Sequence, residues 1–159
     1  IILSKLSLMI IEELTDSELI YLCKILDIPI IQVRRKDEIN IAHDGAYIIN
    51  LQSVGDGAGS HWTALYRINK KNIYFDSFGV MPPYEIVKML KNEKICYFED
   101  QIQDIISTAC GYYCIVFLYT MTTSKTIEDG IKKIDKMFTA PESNDNVLKT
   151  ILEKILKKN

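Results

Sequence analysis

His61-Trp62-Thr63-Ala64-Leu65-Tyr66-Arg67-Ile68-Asn69-Lys70-Lys71-Asn72-Ile73-Tyr74-Phe75-Asp76 reads as a β-hairpin. Trp62 to Ile68 and Ile73 to Asp76 form the two strands, and Asn69-Lys70-Lys71-Asn72 is the turn between them. His61 stands at the start of the first strand and Asp76 at the end of the second. Antiparallel pairing then sets the imidazole beside the carboxylate. That juxtaposition follows from the position of the turn alone.

On the N-terminal side, Thr15-Asp16-Ser17-Glu18 is a capping box that starts a helix running to about Leu26. Leu19, Leu22, Cys23 and Leu26 share one face of it, which places Cys23 in the core. Pro29 to Val33 and Ala46 to Leu51 are β-branched and aromatic runs typical of strands. On the C-terminal side, Pro82-Pro83 stops the hairpin strand and starts a helix through about Leu90. Lys94 to Phe98 is a further strand. Cys110 begins a long helix whose Cys114, Ile115, Phe117 and Leu118 fill much of its circumference, as a buried helix requires. Two amphipathic helices follow, Ile127 to Phe138 and Asn146 to Lys157, split by Ala140-Pro141-Glu142-Ser143. The last carries a stripe of Val147, Leu148, Ile151, Leu152, Ile155 and Leu156, expected to dock on the domain. Lys149, Lys154, Lys157 and Lys158 lie elsewhere on it, and a basic membrane or nucleic-acid tether is the alternative role.

Cys110 completes a chemical set. A thiol becomes a useful nucleophile when an imidazole takes its proton and a third group orients that imidazole. His61, Asp76 and Cys110 fill these roles, and the positive end of the helix dipole at Cys110 favours a thiolate. A tetrahedral intermediate also needs donors for its oxyanion. The side-chain amide of Gln103, seven residues before Cys110, and the Cys110 N–H can supply them. Gln101 is the rival amide. The rival imidazole, His43, sits in Ala42-His43-Asp44-Gly45, which reads as a surface turn. Taken together, these residues point to a cysteine peptidase.

The order His-Trp, Asp-Ser-Phe-Gly, Gln-x6-Cys-Gly resembles the adenovirus maturation protease (adenain) and its relatives, the SUMO-specific proteases. Ala46 to Ser60 and Thr15 to Leu26 are similar to that family's segments before the histidine and at the N-terminus, so the resemblance covers roughly Leu14 to Met121. It implies an α+β fold of the adenain type, with a mixed, mostly antiparallel sheet and a central buried helix bearing the nucleophile. The implied catalytic residues are His61, Asp76, Gln103 and Cys110, with Trp62 and Gly111 at the substrate cleft. The acid is of the SUMO-protease kind, since adenain has Glu there. The family cuts beside small residues, usually Gly-Gly or Gly-x-Gly. Cys96 lies near the place where adenain has a cysteine that joins an activating peptide through a disulfide, but seven residues before the Gln instead of eleven; a buried strand cysteine is its other reading. Small size, Ile/Lys-rich composition and the Gln spacing most resemble the capsid maturation proteases of virophages (mavirus type) and polintons. Viral capsid precursors are then the implied substrates, acted on in the virion and in the host cytoplasm or viral factory.

Composition bounds these readings. The chain has 159 residues, 48% hydrophobic and 25% charged, which suits one soluble globular domain over 1–159. A net charge of −2 gives no global pull toward nucleic acid or anionic membranes. Adenain is basic and uses DNA as an activator, so DNA activation is not carried over, and a monomer without cofactor is expected. Four cysteines (Cys23, Cys96, Cys110 and Cys114) with no C-x2-C pair and only two histidines exclude a structural zinc site and a secreted disulfide scaffold. No apolar run approaches the ~20 residues of a membrane span. The opening IILSKLSLMII is short, lacks a signal-peptide cleavage pattern and is expected to pack on the core as a helix or strand. It begins with Ile instead of Met, as a trimmed or processed chain would. Gly55-Asp56-Gly57-Ala58-Gly59 lacks the Gly-Lys-Ser/Thr of a phosphate loop and is expected above the active site.

Three other functions share these features. A SUMO or ubiquitin-like deconjugase uses the same chemistry but needs a large docking surface. A bacterial-effector acetyltransferase has the same fold and triad and binds acetyl-coenzyme A. A non-catalytic binding module keeps the fold alone.

Overall fold

The computed structural model describes residues 13–55 and 61–158. The opening segment 1–11 and all but Gly55 of the glycine-rich loop therefore lie outside the described residues. The architecture is α+β. One five-stranded mixed sheet runs in the order β1 (Ile30–Arg35), β2 (Gly45–Asn50), β3 (Trp62–Ile68), β4 (Lys71–Phe75), β5 (Lys94–Tyr97). β2–β3 and β3–β4 are antiparallel, whereas β1–β2 and β4–β5 are parallel. The expectation of a mostly antiparallel sheet is thus corrected: half of the pairings are parallel. Parallel neighbours need a connection that carries the chain back to its starting end. The stretch 36–44 does this between β1 and β2, and α2 (Tyr84–Leu90) does it between β4 and β5.

The β3–β4 turn is tighter than its sequence suggests. Ile68 pairs with Lys71, so only Asn69 and Lys70 form the loop, both at positive φ (50° and 61°). That is the mirror-image turn whose twist matches a hairpin. Asn72, expected in the turn, is instead a fully buried strand residue. Its NH2 donates to Glu93 Oε1 at 3.0 Å and to the Lys94 carbonyl at 3.2 Å, so both amide donors are satisfied inside, while Oδ1 is buried without a partner among the described residues. Lys70 holds a left-handed conformation that costs a side-chain-bearing residue about 1 kcal/mol. Lys70→Gly should raise unfolding stability by about 0.5–1 kcal/mol, read from the urea midpoint. A lower midpoint would mean that the attraction of Lys70 for Glu93 outweighs the turn strain.

Alternation along the strands divides the core between the two faces of the sheet. On one face, Ala46, Ile48, Ala64, Ile73 and Phe75 pack against α1 (Asp16–Ile25) and α3 (Cys110–Thr123). On the other, Tyr47, Ile49, Leu65 and Tyr74 meet Ile39, Ile41 and residues Ile86 and Leu90 of α2. The expected buried helix is α3: Tyr112 through Leu118 have no exposed surface. Phe117 stacks on Phe75 with ring centroids 4.7 Å apart.

α4 (Ile127–Met137) and α5 (Pro141–Lys158) close the α3 side. α5 begins five residues before the expected Asn146, because Pro141 is its first helical residue and not a separator. A proline's fixed φ suits a first turn, where its missing N–H would be unpaired anyway. Leu148, Leu152 and Ile155 of the expected stripe are buried, so the terminal helix is docked. Among the described residues, no helix is long and apolar enough to cross a membrane.

Candidate active site

The hairpin and the buried helix converge on three of the residues singled out above. His61 lies one residue before β3 and Asp76 one residue after β4, where the strands pair Ala64 with Phe75. His61 Nε2 is 2.8 Å from Asp76 Oδ1. The ring is also influenced by Cys110, and with Nε2 on Asp76 the remaining nitrogen, Nδ1, is the one available to the thiol. The Trp62 N–H points at Cys110 Sγ from 3.5 Å. Cys110 is the first residue of α3, and no side chain caps that terminus. First-turn N–H groups have no acceptor within a helix, so they remain donors beside the sulfur.

The backbone holds the same oxygen of Asp76 as well. Oδ1 also accepts the Phe78 N–H at 2.8 Å, and the Asp76 carbonyl accepts the Gly79 N–H at 2.8 Å. The Phe78 ring stacks on the His61 imidazole with centroids 4.9 Å apart. The acid is 2% exposed and the imidazole 14%. Burial favours the neutral imidazole, but hydrogen bonds and charge from Asp76 and Cys110 outweigh it and push His61 up to about 9. The ring is therefore an imidazolium at neutral pH, the partner that a thiolate needs.

Two of the other cysteines lie deep in the core. Burial pushes the Cys23 thiol up to about 12 and that of Cys114 well above its usual range, so both stay protonated. Cys96 is half-buried on β5, at the edge of the sheet, and lines a groove of about 300 Å³ with Phe98, Ile131 and Asp135. His43 is exposed, and its backbone is tied to the Tyr47 hydroxyl.

Gln103 is 1% exposed, and its Nε2 donates to the Ser107 carbonyl at 2.9 Å in the loop that feeds Cys110. Gln101 is exposed and merely caps the Gln103 carbonyl at 2.9 Å. Trp62 is half-buried, its indole N–H donating to the Leu14 carbonyl at 2.8 Å. A groove of about 480 Å³ leads from it between Leu14, Asp16, Val33, Arg34 and Asn50. None of His61, Asp76, Gln103 and Cys110 lines this groove; Trp62, whose N–H points at Cys110 Sγ, borders both. Gly111 is buried at the start of α3. A Cβ there would meet Leu14 and Leu19 at 3.2–3.3 Å, so the missing side chain lets the start of α1 approach α3.

Two contributors have little signal in the sequence. Phe78 belongs to the Asp-Ser-Phe-Gly motif, but nothing local says that it covers the imidazole. Ser77 sits in the same motif, and only its full burial between Asp76 and Phe78 shows that its hydroxyl needs a specific partner. Among the described residues, no group of three or more His, Cys, Asp or Glu side chains could hold a metal ion. No protein-family model matches the chain, and no curated protein matches it.

Proposed function

We propose that the chain is a cysteine peptidase in which His61 is the general base and then the general acid, Asp76 orients it, and Cys110 attacks. The observation that carries this reading is the single imidazole shared between a buried carboxylate and a thiol at an uncapped helix N-terminus. The Cys110 thiolate would add to the scissile carbonyl, and its oxygen would take up the electron pair near the Cys110 N–H and the Gln103 amide. Collapse expels the amine, which takes the proton from His61, and leaves a thioester. His61 then deprotonates a water that hydrolyses the thioester, which releases the acid and restores the Cys110 thiolate beside the protonated imidazole.

More specifically, the resemblance to adenain and to the virophage and polinton enzymes supports a viral maturation protease that cuts capsid precursors at Gly-containing sites. The adenain fold is part of the same proposal; the architecture is compatible with it. A free, half-buried Cys96 beside a groove on an edge strand also favours a cysteine-bearing peptide activator.

The test is labelling of wild type and Cys110→Ala with a peptide vinyl sulfone ending in Leu-x-Gly-Gly, read by intact mass. One adduct on wild type and none on the variant is expected. An adduct on wild type only after a cysteine-bearing peptide is added would favour the activator. Equal labelling of both proteins would sink the assignment of Cys110. A thermal shift with acetyl-coenzyme A and no peptide labelling would favour the acetyltransferase.

A further inference from the structure

Gln103 has few polar atoms left to spend. Its N–H donates to the Ser77 carbonyl at 2.9 Å, and its own carbonyl is taken by Gln101 Nε2 at 2.9 Å. Its Oε1 accepts the Ser77 hydroxyl, and its Nε2 gives one hydrogen to the Ser107 carbonyl. An amide NH2 carries two donors, so one N–H remains. That one hydrogen is what Gln103 can offer an oxyanion.

The orientation of this amide decides whether the site stabilises or repels negative charge. The Ser107 carbonyl can only accept, so it selects the nitrogen end. The oxygen end then sits in a buried place and needs a donor, which Ser77 supplies. Ser77 is itself fully buried, and its carbonyl also accepts the Ile102 N–H at 2.9 Å. From the opposite side, Asn144 of α5, 1% exposed, donates to the Ile102 carbonyl at 2.8 Å. Ser77 follows Asp76 directly in the chain, so the residue that orients the imidazole and the residue that holds the amide share one turn.

We infer that Ser77 is the positioning residue for the oxyanion-binding amide of Gln103, with Asn144 bracing the same loop from the C-terminal helix. This inference rests on the cysteine peptidase reading. Ser77 touches neither thiol nor imidazole, so it acts on the oxyanion and not on the nucleophile.

That separation gives the experiment. Turnover of a fluorogenic Leu-x-Gly-Gly amide needs the oxyanion site, whereas alkylation of Cys110 by iodoacetamide does not. Ser77→Ala should lower kcat about 10- to 100-fold with KM little changed. The alkylation rate should stay at the wild-type value, which also reports that the variant is folded. In a Gln103→Ala background, itself down about 10²–10³-fold, Ser77→Ala should have no further effect. Ser77→Cys keeps the volume with a weaker donor and should fall in between, which covers an alanine variant that does not fold. Wild-type turnover in Ser77→Ala, or an equal loss with and without Gln103, would overturn the role of Ser77 alone. A wild type inert to both reagents would overturn the peptidase reading and this inference with it.

Discussion

Asp76→Asn is expected to lower kcat/KM about 10²–10³-fold, a loss of about 3–4 kcal/mol of transition-state stabilisation, while leaving the fold intact. The substitution keeps the shape of the side chain and removes its charge. The Phe78 N–H, 2.8 Å from Oδ1, holds the oxygen of the new amide where the carboxylate oxygen was. His61 Nε2 therefore keeps an acceptor and the ring keeps its tautomer. What it loses is the charge that favours the imidazolium. A flip that turned the amide nitrogen toward the ring would break the Phe78 bond, so the larger loss of a wrong tautomer is not expected. Activity within a fewfold of wild type would show that the charge of Asp76 is not what supports the imidazolium.

The same variant should change how stability depends on pH. His61 rises from 6.5 to about 9 on folding. A raised pKa contributes stability that is fully present below about pH 6.5 and lost as pH rises through about 9. The span corresponds to about 3 kcal/mol, part of which belongs to Cys110. Urea unfolding of the wild type should therefore weaken through this window, and Asp76→Asn should show a flatter profile. An unchanged slope would place the source of the shift elsewhere.

Gly79→Ala should cost about 2–4 kcal/mol, seen as a fall of roughly 6–12 °C in the thermal midpoint. Two effects add. Gly79 has φ of +73°, which a side chain disfavours. A Cβ there would lie 2.5 Å from the Glu99 carbonyl oxygen and 2.7 Å from the Asp100 carbonyl carbon. Both are backbone atoms, so neither can swing aside as a side chain would. The turn at 76–79 and the strand-to-loop segment at 99–100 would have to separate, which also draws Ser77 from Gln103. Peptide turnover should fall more than the unfolded fraction explains. An unchanged midpoint would mean that these two backbones are not in contact.

The hairpin, the capping box at Thr15, the buried helix starting at Cys110 and the pairing of His61 with Asp76 are all legible in the chain. Each depends on neighbours in sequence: a turn flanked by apolar strands, a cap three residues from its acid, a helix with apolar residues all round. A short turn leaves a hairpin few registers, so the residue order alone sets His61 beside Asp76. Residue types also single out a thiol, an imidazole, a carboxylate and an amide as one chemical set.

Other features have no local signal. The parallel pairings of β1 and β5 join segments whose relation is set by how the crossovers pack. Asn72 reads as a turn residue until Glu93 and Lys94 arrive to receive its amide. Nothing near Gly111 in the chain says that Leu14 and Leu19 will close on it. Ser77 and Asn144 find Gln103 and Ile102 at separations of 26 and 42 residues. A side chain's chemistry travels with its residue, and periodicity spans a few turns of chain. Which buried donor meets which buried acceptor is decided only when the packed core brings distant segments together and excludes the water that would otherwise satisfy them.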